Sequence, residues 1–313
     1  MIYIASMFNK PFLIRTLAMR NSVIKFMPVE VQFLFLFTDK KSGNMITALN
    51  FPDTKNFSIN NLHDKELVES RKDKTNSEFA WVAKVSFMKY LFDQPWIKQG
   101  DVVAWIDSDI MLYRSLLPLI EKMSASYSIA LMPHYFPKEK ESLNNKIGRY
   151  NAGMFMFKVD ENSKQAFADW RKQCIEWCYY RFEDGKLGDQ MYLNAWPAKY
   201  KGVYEVPEKG VDIGPWRVKS YKITNPNDEN FLIDEDPLVC FHFHGFKFYL
   251  ENNKIKPVPI TVHHKKIYSI YTREIEKAWK EVVAIDKDWK YEFSEKPNIL
   301  RLIKQRLHKL ILG

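Results

Sequence analysis

Apolar positions along this chain follow two alternating periods. Short apolar runs suited to strands recur at residues 1–6, 29–38, 102–106, 128–132, 154–158, 204–206 and 238–244. The run 102–106, Val-Val-Ala-Trp-Ile, has no polar position, which fits a central strand covered on both faces. Between these runs, residues 12–26, 115–123, 163–181 and 271–283 are read as helices. Trp81, Val85, Met88 and Phe92 recur at i, i+4, i+7 and i+11, a core-facing stripe. That last helix also has a legible start, because Thr75-Asn-Ser-Glu78 matches a capping box. Strands alternating with helices predict a mostly parallel sheet flanked by helices, with strand carboxyl ends opening on one edge. Residues 53–74 are polar and predict a loop plus a short element.

The strand 102–106 ends in Asp107-Ser108-Asp109. Side chains two apart on extended backbone point the same way, so the two carboxylates converge while Ser108 turns aside. Converging carboxylates repel unless a cation lies between them, and Mg²⁺ or Mn²⁺ would suit them. The carboxyl end of a parallel sheet is also where α/β folds bind ligands. Taken alone, Asp-x-Asp is short and common, and equally describes a turn carrying two solvated acids. The run 238–247, Leu-Val-Cys-Phe-His-Phe-His-Gly-Phe-Lys, puts His242 and His244 on one side of a strand end, with Gly245 and Lys247 beyond. They could complete a mixed oxygen and nitrogen metal site and neutralise phosphate, or be structural histidines.

Five further positions carry candidate chemistry. Asn151, beside Gly153, offers a donor and an acceptor at a turn. Asp189 is placed to cap a helix starting near 188, with Gln190 presenting a sugar-like amide partner. Lys84 falls off the apolar stripe of its helix, either solvated or reaching a phosphate. In the loop 210–216, Trp216 either stacks on a ligand or plugs the core.

Composition narrows the classes. A chain of 313 residues with 46% hydrophobic residues can bury a sizeable core, and a net charge of +9 calls for an anionic partner. The aromatics do not interleave with Lys and Arg as a nucleic-acid stacking platform would, so no nucleic-acid partner is expected. Three cysteines, Cys174, Cys178 and Cys240, form no disulfide framework and suit a reducing cytoplasm. No apolar run approaches a membrane span, and the first residues read as a strand rather than a signal peptide. Residues 251–313 are read as a basic helical extension of a domain at 1–250. Its last stretch, 297–313, carries Leu300, Ile303, Leu307 and Leu310 on one stripe and Arg301, Lys304, Arg306 and Lys309 around it. Such a helix either lies on an anionic membrane surface or docks on its own domain.

Over residues 1 to about 247, this ordered series of motifs resembles the metal-dependent GT-A glycosyltransferases, particularly glycogenin-like and bacterial lipopolysaccharide sugar transferases. The resemblance implies a Rossmann-like GT-A fold in which Asp107 and Asp109 hold Mn²⁺ or Mg²⁺ against a nucleotide-sugar diphosphate, with His242 or His244 as third ligand. It implies that Ala5, Ser6, Asp39, Lys84, Ser108, Gly245 and Lys247 line the donor, expected to be a UDP-sugar. Asn151, Asp189 and Gln190 would then serve the transferred sugar and the acceptor. The late motif departs from the family's His-x-x-Gly-x-x-Lys-Pro-Trp, since Gly245 and Lys247 are closer and no Pro-Trp follows. The implied protein is a cytoplasmic hexosyltransferase of the retaining type. It would act on a glycan or lipid-linked acceptor in bacterial surface-polysaccharide synthesis, peripheral to the inner face of the membrane. A sugar-1-phosphate nucleotidyltransferase would need a Gly-rich loop where this chain has Ser6-Met-Phe-Asn-Lys10, and an Asp-nucleophile phosphatase a Thr where it has Met111.

Overall fold

Eight strands come first along the chain: β1 (Ile2–Phe8), β2 (Gln32–Phe37), β3 (Thr54–Ser58), β4 (Val102–Ile106), β5 (Ile110–Leu112), β6 (Ile129–Pro133), β7 (Tyr150–Lys158) and β8 (Val203–Glu205). All but β5 form one sheet, in the order β3-β2-β1-β4-β7-β6-β8, in a computed structural model that describes residues 1–225, 229–289, 291 and 293–297. Strands β3, β2, β1 and β4 run parallel, as do β6 and β8. Strand β7 runs antiparallel to both β4 and β6. The reversal has a simple cause: β6 and β7 are joined by a 3₁₀ segment, Lys138–Asn145, rather than by the helical crossover that a parallel pair needs.

The helices are α1 (Leu13–Phe26), α2 (Lys40–Leu49), α3 (Lys65–Ser70), α4 (Asn76–Phe92), α5 (Leu117–Ser126), α6 (Glu161–Glu176), the short α7 (Trp196–Lys199) and α8 (Lys265–Ile285). Successive strand residues enter two different cores. Ile4, Phe33, Phe35, Ala104 and Ile106 join the core that also holds α1 and α8 residues. Tyr3, Leu34, Leu36, Val103 and Trp105 join the one that holds α4 and α6 residues. With both faces covered, polar positions would have no exit, which is why β4 carries none.

Several boundaries move from those expected. Residues 53–74 hold an edge strand, β3, whose polar sequence and partial exposure hid it, and the short α3. Helix α6 is capped by Asp160 and ends at Glu176, so Cys178 lies beyond it. Helix α8 begins six residues before the expected start and packs Tyr268, Tyr271, Ile275 and Val282 into the same core as Ile4. Of the basic stretch 297–313, residues 298–313 lie outside the described residues. Smaller strands follow β8: β9 (Ile223–Thr224), β10 (Leu232–Ile233), β11 (Asp236–Pro237), β12 (Cys240–His242), β13 (Phe248–Glu251) and β14 (Lys254–Pro257).

The capping box at the start of α4 is present in both directions: Thr75 N donates to Glu78 Oε2 at 2.8 Å, and Glu78 N to Thr75 Oγ1 at 3.3 Å. His134, past the end of β6, is buried with Nδ1 2.9 Å from the Gly148 carbonyl. Burial pushes its pKa down to about 3. The folded state therefore refuses a proton that the unfolded chain accepts below about 6.5, so His134 withdraws stability as pH falls from that value toward 3, by up to about 1.4 kcal/mol per pH unit. Urea unfolding of His134→Gln between pH 7 and pH 4 should show a shallower acid loss than the wild type.

Candidate active site

The site begins where β4 leaves the sheet. Ile110 N donates to the Asp107 carbonyl at 3.0 Å, closing a turn that sends the chain into β5. Ser108 is buried inside that turn, its hydroxyl donating to the Met7 carbonyl at 2.7 Å and accepting from Thr16 Oγ1 at 2.9 Å. Strand β5 pairs antiparallel with β12, setting His242 opposite Ile110, and Phe243 N donates to the Asp109 carbonyl at 2.8 Å. A two-stranded ladder thus carries an imidazole from far along the chain to the Asp-x-Asp turn.

Asp109, His242 and His244 are brought together, with one ligand atom from each lying within 4.8 Å of the others. His242 Nε2 is 3.2 Å from Asp109 Oδ1, and its Nδ1 is 3.2 Å from Asp212 Oδ1. Gly153 makes room for the ring: a Cβ there would sit 2.5 Å from His242 Cε1. Burial disfavours charge on this imidazole, yet the two carboxylates outweigh it and raise its pKa well above the ordinary value. Burial likewise opposes ionisation of Asp109, but His242 and Arg15 hold that carboxyl below the usual range. Asp107 accepts from Trp105 Nε1 at 2.6 Å. Burial, with Asp109 adding to it, pushes the Asp107 pKa up to about 6 against the pull of Lys84 and His242.

Lys84 is neither solvated nor free for a phosphate, the two roles expected for it. It is buried, ion-paired with Asp189, and donates to the Ala152 carbonyl at 2.8 Å. The capping expected of Asp189 is overturned as well. Its backbone is already helical, at φ −92° and ψ −30°, and its side chain makes no cap bond; the element that follows is a 3₁₀ turn, Gln190–Ala195. A capping side chain needs extended backbone, and this one is held inward by Lys84. Gln190 Nε2 donates to the Ile147 carbonyl at 2.7 Å, and Asn151 Oδ1 accepts from Gly153 N at 2.5 Å.

The residues expected to line the donor divide in two. Ala5 and Ser6 are buried in β1, with Ser6 Oγ donating to the Ile106 carbonyl at 2.6 Å beside the Asp-x-Asp turn. Asp39 caps α2 through Ser42 N at 2.9 Å and accepts from Lys10 N at 2.7 Å, so its carboxylate is occupied locally. Gly245, at φ +69°, turns the chain just past His244, and Lys247 is exposed two residues on. Sequence reasoning missed Asp212 and Arg15, and left Trp216 open. Trp216 packs edge-on to His242 and His244, with centroids 5.3 and 6.5 Å away, its ring lying across Gly214 where any side chain would clash. It also walls a cleft of about 500 Å³ rimmed by Lys140, Lys219 and His263.

A mostly parallel α/β sheet thus gathers a carboxylate and two imidazoles beyond the carboxyl end of its central strand, and the chain is a glycosyltransferase of the GT-A type. Residues 3–209 match glycosyl transferase family 8, and the chain belongs to that family. Two Bacillus subtilis (strain 168) proteins, the uncharacterized YfnD and YfnF, are each 24% identical to it, over 75% and 71% of this chain and 78% and 74% of theirs. Among solved structures, that of the galactosyltransferase LgtC with donor and acceptor sugar analogs matches with a TM-score of 0.58 at 16% identity, over 88% of this chain and 95% of that one. The WbbM bifunctional glycosyltransferase matches with a TM-score of 0.53 at 14% identity, over 90% of this chain and 51% of that one.

Proposed function

We propose that this glycosyltransferase moves a hexose from a nucleotide-diphosphate sugar, a UDP-sugar, to a glycan or lipid-linked acceptor with retention of anomeric configuration, using a bound divalent cation. The carrying observation is the β5–β12 ladder that sets His242 against Asp109. The donor set fits a metal: one carboxylate and two imidazoles converge, and Asp212 accepts from the far nitrogen of His242, the outer partner that metal-bound histidines commonly have. Mg²⁺ seeks oxygen ligands, so of the two ions considered Mn²⁺ suits the two nitrogens better. Bound there, the ion would stabilise negative charge developing on the departing diphosphate.

The chain's own groups divide the remaining work. Asp109, His242 and His244 hold the cation, and Asp212 fixes the tautomer and tilt of His242. The Lys84–Asp189 pair and Asn151 form the floor on which the transferred sugar is oriented. Retention is supported by that pair. An inverting enzyme needs a carboxylate free to take the acceptor's proton, whereas Asp189 is buried and already matched to a lysine. A net charge of +9 suits a diphosphate donor and a phosphate-bearing lipid acceptor in bacterial surface-polysaccharide synthesis at the inner membrane face. No helix among the described residues is long and apolar enough to cross a membrane; the membrane contact in this reading is a peripheral one through the basic stretch 297–313.

Thermal unfolding with a panel of nucleoside diphosphates, with and without Mn²⁺, tests the reading. Stabilisation by one diphosphate only when metal is present is expected, worth about 2.7 kcal/mol at a hundredfold excess over Kd. Indifference to every diphosphate would overturn it. Asp212→Asn keeps an acceptor for the imidazole but removes its charge, and should weaken Mn²⁺ binding by roughly 10- to 100-fold in calorimetric titration.

A further inference from the structure

Between α6 and Asp189 the chain makes a loop, Trp177-Cys-Tyr-Tyr-Arg-Phe-Glu-Asp-Gly-Lys-Leu, that breaks the usual rule for surface loops. Tyr180 is 77% exposed and Phe182 55%, the two most conspicuous aromatics on the described surface. The loop holding them is fastened at both ends and in the middle. Tyr180 N donates to Glu78 Oε1 at 2.7 Å, Gly188 N to the Tyr179 carbonyl at 2.9 Å, and Tyr192 Oη to the Trp177 carbonyl at 2.7 Å. Glu183 and Lys186 close the tip through paired backbone bonds of 3.0 and 2.8 Å. Large apolar side chains held in water by a built scaffold mark a contact surface.

The surface leads directly to the proposed sugar floor. The Tyr180 ring lies 5.8 Å from that of Trp81, one turn before Lys84 on α4. Trp81 in turn packs on Gly188, where a Cβ would meet its ring at 3.3 Å, and the next residue is Asp189, the partner of Lys84. Its charge distinguishes what it fits. Although the chain as a whole carries +9, the loop's Arg181 and Lys186 are balanced by Glu183 and Asp184, and Arg181 pairs with Glu183 at 2.6 Å. An anionic membrane surface would be drawn to excess positive charge, which this loop lacks. A neutral pyranose, with C–H faces for aromatic rings and hydroxyls for the flanking polar groups, matches aromatic surface without net charge.

Resting on the glycosyltransferase reading, the geometry points to Tyr180 and Phe182, backed by Trp81, as a platform for uncharged sugar rings of the acceptor glycan. The test uses octyl glycosides of glucose, galactose and N-acetylglucosamine in saturation-transfer NMR, on the full chain with UDP and Mn²⁺. Wild type should transfer saturation to at least one of them. Tyr180→Ala/Phe182→Ala should weaken that binding about tenfold or more, the usual cost of truncating an anchoring aromatic, while Tyr180→Trp retains it. The thermal shift produced by UDP with Mn²⁺ is read on the same samples. Its absence from wild type would sink the donor assignment, whereas its presence with equal glycoside binding by wild type and double variant would overturn the platform alone. The platform also falls if no glycoside binds wild type, or if the double variant instead loses binding to phosphatidylglycerol vesicles.

Discussion

Asp109→Asn is expected to abolish measurable Mn²⁺ binding and to lower transfer by at least about a thousandfold, which corresponds to roughly 4 kcal/mol of lost transition-state stabilisation. Among the described residues, Asp109 is the carboxylate grouped with His242 and His244, while Asp107 accepts from Trp105 Nε1. The substitution preserves the shape of the turn, whose backbone bonds come from Ile110 and Phe243. An Asn oxygen can still accept from His242, so the fold should survive and the loss should fall on the ion. Titration calorimetry with Mn²⁺, beside steady-state rates at saturating donor, separates the two effects. Undiminished metal affinity would show that the cation site lies elsewhere.

Lys84→Met should be the most destabilising single change at the site. Breaking a buried ion pair leaves the other charge unsolvated and typically costs about 3–5 kcal/mol, on the order of 10 °C in Tm for a chain of this size. Burial alone would favour a neutral lysine here, but Asp189 and Asp107 keep its pKa raised, so the ammonium is what the fold has been built around. Replacing both partners by apolar residues, Lys84→Met with Asp189→Leu, should return most of the lost stability because no orphan charge remains. The same double variant should transfer no sugar. Recovered Tm with recovered activity would exclude the pair from orienting the donor, and failure to recover Tm would show that the pair contributes more than charge balance.

How much of this could be read beforehand varies by residue for physical reasons. The position of Asp107 and Asp109 just past the end of β4 was legible because an unbroken apolar run must be a covered strand. The cap at Thr75 was legible because both partners lie within one turn. Asp212 gave no such signal: it sits in a loop, and only the bridge between Ile213 and Phe241 slides it onto His242. Lys84 looked like a solvated position because its partner, Asp189, is remote in sequence. The direction of β7 depended on the connection between strands, about which apolar spacing says nothing. Edge strand β3, half exposed, lacks the apolar signature that betrayed its buried neighbours.

Because α8 supplies Tyr268, Tyr271, Ile275 and Val282 to the same core as Ile4, one side of the sheet cannot be sealed until residues 265–285 exist. During synthesis, at about 5–20 residues per second, the first strands must therefore wait ten seconds or more on the ribosome with a greasy flank uncovered. The face closes only after most of the chain through residue 285 has left the exit tunnel.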